Sequence, residues 1–292
     1  MAASPTADAV PVRPAATVMI VDDRPDLHVL LLRRRAASNF VGGMYVFPGG
    51  GVDPHDAAPE VQAVCADLDD ATASERLGLA SGGLAYWVAA ARETFEEAGV
   101  LFARRAEDGR ALDPREPGVA ERLAGARRAV DAGEARLVDV VRAAGLRLAV
   151  GALHYAARWI TPPGPPRRYD TRFFVTALPD GQTAAADRRE AVGSEWVRPA
   201  DALAHFHAGE RSMLPPTVGM LQILASFASR EDLLRAAARD ESGADHRVRL
   251  AGGQGGSWSV LLPGETLRDA PPGAELHEMQ AWVRLCPQAL EG

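Results

Sequence analysis

Ala89-Ala90-Ala91-Arg92-Glu93-Thr94-Phe95-Glu96-Glu97-Ala98-Gly99-Val100 is the stretch on which the reading of this chain turns. Glu93, Glu96 and Glu97 recur at intervals of three and four, which on a helix sets their carboxylates on one face. Like charges so placed repel, and a purely structural helix gains nothing from them. Two readings follow. Either the face is solvated, with Arg92 pairing Glu96 at i,i+4, or a divalent cation turns the repulsion into binding, since hard oxygen ligands suit Mg²⁺ or Mn²⁺. The alanines favour a closely packed helix and Gly99 supplies its stop, so a helix is expected over 84–98.

Composition narrows the class. The chain has 292 residues, 47% hydrophobic and 24% charged, which is globular and long enough for a sizeable core. A net charge of −7 argues against general attraction to long nucleic acid or anionic membrane. All 32 basic residues are arginine, so any phosphate contact is a guanidinium contact. Cys65 and Cys286 share no ligand spacing and read as free buried thiols. Neither a signal peptide nor a membrane-length apolar run is visible, which gives the expectation of a soluble cytoplasmic protein.

Residues 1–14 read as a disordered tail. Residues 16–21 and 27–33 are apolar runs around a turn at Asp22–Asp26, a hairpin-like pair. Residues 45–53, Tyr-Val-Phe-Pro-Gly-Gly-Gly-Val-Asp, form a short strand leading into glycines that let backbone turn sharply or approach something closely. An excursion over 54–83 has helical spacing from 59 to 79, and residues 100–103 read as a strand. A second helical insert covers 104–149, with helices near 119–130 and 134–144. Strands are expected at 154–160, 169–178 and 192–197, and helices at 199–207 and 215–228. A terminal strand pair over 246–250 and 258–262 lies in a C-terminal extension, 231–292, packed on the domain of residues 15–230. Strands and helices interleave without a regular βαβ period. The fold class is α+β, a mixed sheet with flanking helices.

The glycine loop and acidic helix together resemble the signature of Nudix hydrolases. That signature runs glycine, five residues, glutamate, seven residues, then Arg-Glu-aliphatic-x-Glu-Glu-x-Gly-aliphatic. Residues 92–100 match its second half at the fixed positions, with Thr94 in the first aliphatic slot. Phe47-Pro48-Gly49-Gly50 is similar to the loop that precedes the family's helix. Residues 51–91 separate Gly50 from Arg92, far more than in the ordinary box. Counted back from Arg92, the first glutamate falls on Leu84, and Asp53 is a candidate substitute. A box split in this way resembles the peroxisomal coenzyme A and acyl-coenzyme A diphosphatases of animals, as do Trp159–Pro162 and Pro166–Phe174. A second pattern, tied to coenzyme A hydrolysis, is similar at Leu31, Leu32, Arg35, Ala36, Gly43 and Phe47–Gly50, and its second arginine has no counterpart at Asn39-Phe40.

The resemblance implies a Nudix-type α/β/α sandwich with a mixed sheet, two helical inserts, and hydrolysis of a diphosphate in a nucleoside diphosphate derivative. Coenzyme A or an acyl-coenzyme A is the first expectation. ADP-ribose, NADH or capped RNA are alternatives, and a catalytically weak ligand-binding module is an alternative of another class. Glu93, Glu96 and Glu97, with the carbonyl of Gly50, would hold Mg²⁺ or Mn²⁺. Arg92 would orient the glutamates, and Glu93 or a loop acid would activate water. Glu190 is the candidate loop acid and Glu195 its competitor. Arg35, Arg167, Arg168 and Tyr169 are candidates for the substrate's phosphates and base, each with an ordinary solvated or packed role as the other reading. The partner implied is a small nucleotide, and a homodimer is an expectation by analogy.

Overall fold

A computed structural model describes residues 10–35, 42–187, 191–239, 246–252, 258–270 and 273–285. The strands are β1 (Val12–Asp23), β2 (Leu27–Arg34), β3 (Tyr45–Val46), β4 (Gly49–Gly51), β5 (Ala103–Arg105), β6 (Leu146–Leu148), β7 (His154–Ile160), β8 (Arg168–Ala177), β9 (Ala191–Val197), β10 (His246–Gly252), β11 (Trp258–Leu261) and β12 (Glu275–Val283). The helices are α1 (Pro59–Gln62), α2 (Asp70–Leu77), α3 (Leu84–Ala98), α4 (Val119–Asp131), α5 (Leu137–Ala143), α6 (Pro199–His207), α7 (Pro215–Leu224) and α8 (Arg230–Ala238).

Ten strands form one sheet with the path β11-β10-β12-β7-β8-β1-β2-β3, while β4 pairs β1 and β9 pairs β2. β1 and β8 run parallel in register from Val12 opposite Arg168 to Val21 opposite Ala177, and the other strand pairs of this sheet are antiparallel. Side chains alternate across a strand, and β1 uses this to feed two cores. Ala16, Val18 and Ile20 pack with Trp87 and Phe95 of α3 and with Phe174. Met19 and Val21 pack with Val218 and Leu221 of α7 and Leu233 of α8. The result is the expected mixed sheet between helical layers.

Several boundaries differ from the sequence reading. β1 begins at Val12, so residues 12–14 belong to a strand rather than the tail, held by pairing with β8 and by the Val52 N–H donating to the Pro14 carbonyl. Residues 100–102 are buried but not a strand. Gln182 satisfies both backbone groups of Leu101, accepting its N–H at 2.9 Å and donating to its carbonyl at 2.8 Å, and this takes the place of a neighbouring strand. The excursion over 59–79 is two helices, because residues 64–66 leave the helix to bond with Leu148. α7 stops at Leu224, and Ser229 then caps a separate α8 by accepting from the Asp232 N–H. The terminal pair is a triplet: β12 lies between β10 and β7 and joins them to the main sheet. Cys65 is a buried free thiol, while Cys286 lies outside the described residues.

Candidate functional site

α3 starts without a side-chain cap of its own at Gly83. Asp70 of α2 supplies one from the insert, accepting from the Leu84 N–H at 3.0 Å and the Gly82 N–H at 2.9 Å. At the far end Gly99, at φ 72°, stops the helix. A Cβ there would lie 2.7 Å from the Arg127 guanidinium, whose Nε donates to the Glu96 carbonyl at 2.9 Å. Both inserts therefore grip the ends of the acidic helix. Its apolar side is buried through Trp87, whose ring lies 4.7 Å from that of Phe174 and whose Nε1 donates to the Leu153 carbonyl.

The glycine loop sits directly against the carboxylates. The Gly49 N–H donates to Glu97 Oε2 at 2.9 Å. A Cβ on Gly50 would stand 2.5 Å from the Glu93 carboxylate, so only glycine permits this approach. Arg34, at the end of β2, lies 3.6 Å from Glu97.

Arg92 ties the face together. Its Nη1 donates to Glu93 at 2.9 Å and to Glu96 at 3.3 Å, and its Nη2 to the Gly51 carbonyl at 2.9 Å. Nε and Nη2 also make a two-pronged pair with Asp56, at 3.0 and 2.9 Å. Asp56 is 3% exposed. It stands six residues beyond Gly50, with five between, where the split signature's first acid belongs when counted forward. Asp53, the candidate substitute, instead caps a 3₁₀ turn over Pro54–Ala57, accepting from the His55 N–H. Leu84, the position counted backward, is core. The insert thus begins after the acid. Counting forward from Gly50 finds it, and counting back from Arg92 does not.

Burial raises the Glu96 carboxyl to about 7; Glu93 and Asp131 push the same way, and Arg92 opposes them. Burial would lower the Arg92 guanidinium, but Asp56, Glu93 and Glu96 outweigh that and hold it above its ordinary value. Among the described residues no three His, Cys, Asp or Glu side chains are gathered as a metal requires, since Arg92 holds Glu93 and Glu96 while Glu97 faces Gly49. The donor set still fits a hard cation: three carboxylates on one face and the Gly50 backbone opposite, with room for Glu93 made by the missing Cβ. A cation would compete with Arg92 for Glu93 and Glu96.

The other sequence candidates are dispersed. Arg35 is exposed just past β2, and Arg167 is exposed before β8. Arg168 donates through Nε to the Thr161 carbonyl at 3.1 Å, and the Tyr169 N–H donates to Thr161 Oγ1. Glu195, on β9, pairs with Arg211. Glu190 lies outside the described residues. Near the end of α3, α4 and residues 182–187 border a cleft of about 380 Å³ that includes Gly99, Arg127, Asp131 and Asp187.

An acidic helix face closed by a glycine loop, set on a mixed sheet between helical layers, defines a Nudix-type fold. A solved Nudix hydrolase from Alicyclobacillus acidocaldarius has this architecture, with TM-score 0.63 and 29% identity over 78% of this chain and 97% of its own. Residues 69–224 match the NUDT19 Nudix domain, and the chain belongs to that family. Two curated relatives bear the name acyl-coenzyme A diphosphatase NUDT19. The human protein is 30% identical over 70% of this chain, and the Gallus gallus protein 29% over 89%. The chain spans 62% of the human protein's length and 80% of the avian one's.

Proposed function

We propose that this protein hydrolyses the diphosphate linkage of coenzyme A or an acyl-coenzyme A, giving 3′,5′-ADP and 4′-phosphopantetheine or its S-acyl form. The observation that carries the reading is the convergence of Glu93, Glu96 and Glu97 on the Gly49-Gly50 loop, with Arg92 and Asp56 fixing the face. The names borne by the relatives support the choice of substrate. Among the described residues no helix is long and apolar enough to cross a membrane.

Glu93, Glu96 and Glu97, with the Gly50 carbonyl, would hold Mg²⁺ or Mn²⁺. A divalent cation bound there supplies neutralisation of the diphosphate's charge and a more acidic water. The chain supplies the rest. Gly49 fixes one carboxylate through a backbone N–H, and Gly50 leaves space for another. Arg92 spaces Glu93 from Glu96, and Asp56 keeps Arg92 from swinging away. Glu93 is proposed to orient the attacking water.

Glu96→Gln and Glu97→Gln should each lower Mg²⁺- or Mn²⁺-dependent hydrolysis of coenzyme A by about a hundredfold or more, with circular dichroism unchanged. Undiminished turnover in either variant would sink the assignment. A panel of coenzyme A, acyl-coenzyme A, ADP-ribose and NADH, assayed with and without the metal, tests the substrate. Product from ADP-ribose or NADH but not from coenzyme A would replace the reading, and stoichiometric binding without product would favour a binding module.

A further inference from the structure

A single cross-sheet row runs away from the glutamates. Gly50 of β4 lies opposite Ala16 of β1, Ala16 opposite Arg172 of β8, Arg172 opposite Arg158 of β7, and Arg158 opposite Trp282 of β12. Directly opposed residues project from the same face of a sheet. This face is the one α3 covers, since Ala16 packs with α3 and the Arg172 guanidinium stands 5.7 Å from the ring of Tyr86, at the start of that helix.

The row is rich in cationic and aromatic groups and poor in carboxylate. Arg158 makes a two-pronged pair with Asp170 at 2.9 and 2.7 Å, and Arg172 approaches the same carboxylate only to 3.8 Å. Arg172 has a side chain 3% exposed, its Nη1 donates to the Tyr155 hydroxyl, and its Nε has no hydrogen-bond partner. Two guanidiniums thus share one carboxylate, and a third, Arg284, stands 4.8 Å from the Tyr155 ring. A buried arginine with an unused donor and half a counter-ion is costly unless an anion completes it. Half-buried Trp282, with Arg158 5.5 Å from its ring, adds the planes on which a purine stacks.

We propose that Arg158 and Arg172 bind the 3′-phosphate of an adenosine nucleotide, with Trp282 stacking on its base. The proposal rests on the coenzyme A reading above for the identity of the nucleotide. Strands about 4.8 Å apart put Arg172 roughly 10 Å from Gly50. Because α3 covers the row between them, a nucleotide whose diphosphate lies at the glutamates would pass around the first turn of that helix, at Tyr86, to reach the pair. The acidic helix would then act on the linkage while β7, β8 and β12 select which nucleotide is presented. β12 belongs to the C-terminal segment, which gives that segment a part in recognition.

The test compares the unaltered chain with Arg158→Gln, which keeps a donor toward Asp170, and Trp282→Leu. Calorimetric binding of 3′,5′-ADP and of 5′-AMP is measured for each, alongside kcat/KM for coenzyme A and its 3′-dephospho form. The unaltered chain should bind 3′,5′-ADP about tenfold or more tighter than 5′-AMP, the effect of one good charge-assisted contact. Arg158→Gln should lose that preference by weakening 3′,5′-ADP alone, and Trp282→Leu should weaken both nucleotides alike. Equal affinity for the two in the unaltered chain, or an Arg158→Gln loss shared by both, overturns the site. A chain that shows the preference yet cleaves neither form of coenzyme A would remove the hydrolysis reading and leave the site standing. Cleavage of both forms at equal kcat/KM would do the reverse.

Discussion

Thr94 occupies a slot where the family signature carries an aliphatic residue, and it is fully buried with its Oγ1 unbonded. A hydroxyl stranded in the core costs about 1–2 kcal/mol. Thr94→Val keeps the shape and removes the hydroxyl, so it should raise the melting temperature by several degrees with hydrolysis intact; a lower melting temperature would show that Thr94 has a polar role. Gly50→Ala should do the opposite: its Cβ would press on the Glu93 carboxylate, so turnover should collapse while the melting temperature barely moves. Glu96 carries a pH signature. In metal-free protein its carboxyl is raised from 4.5 to about 7, so the folded state keeps a proton that the unfolded state has lost. Stability from this group is therefore present below about pH 4.5 and is lost as pH climbs through 7, by about 2 kcal/mol once its partial exposure is allowed for. Glu96→Gln should flatten that part of a pH series of denaturant midpoints, and an unchanged slope would contradict the assignment.

At the scale of elements, α3 and α6 were legible to the residue because their ends carry chemical punctuation: Gly99 after one, Pro199 beginning the other. α8 was missed although Ser229 and two first-turn acids announce it, since the apolar run of α7 drew the reading past its true end. The missing acid was hidden for a different reason. The insert breaks the count back from Arg92, so Asp56 keeps its spacing only from Gly50 and meets Arg92 only in space. Arg92 keeps Glu93 and Glu96 as counter-ions without Asp56, so Asp56→Ala should cost about 1–3 kcal/mol, by leaving the buried Arg92 Nε without its acceptor. Denaturant unfolding measures this, and a cost below 1 kcal/mol would show that the clamp is incidental. Asp70→Ala, which uncaps α3 from a distance, should cost only about 1 kcal/mol.

For the whole molecule, the two-faced sheet could be inferred from alternating apolar positions, but strand order could not. β12 was invisible because only its second half alternates, with Met279, Ala281 and Val283 buried and the residues before them exposed. Nothing local says that this segment pairs with β7. Likewise, Arg158 and Arg172 became a pair only through the β7–β8 register. A chain ending at residue 239 would leave β7 as an open edge and uncover the core around Ala281. It should aggregate or unfold without a cooperative transition, and a soluble, cooperatively folding product would show that β10–β12 are dispensable to the core.

The parallel β1–β8 ladder has a consequence in time as well as in space. The first strand of the chain cannot complete its pairing until Arg168–Ala177 has been made, and both inserts lie between the partners. Contacts so distant in sequence close late, because the loop entropy must be met before they return anything. The glutamate helix, which packs on β1, can therefore form early as a local coil of hydrogen bonds, yet its acidic face is delivered to the Gly49-Gly50 loop only when the sheet beneath it closes. During synthesis the proposed catalytic face would take its working shape only after Arg168–Ala177 has joined the sheet.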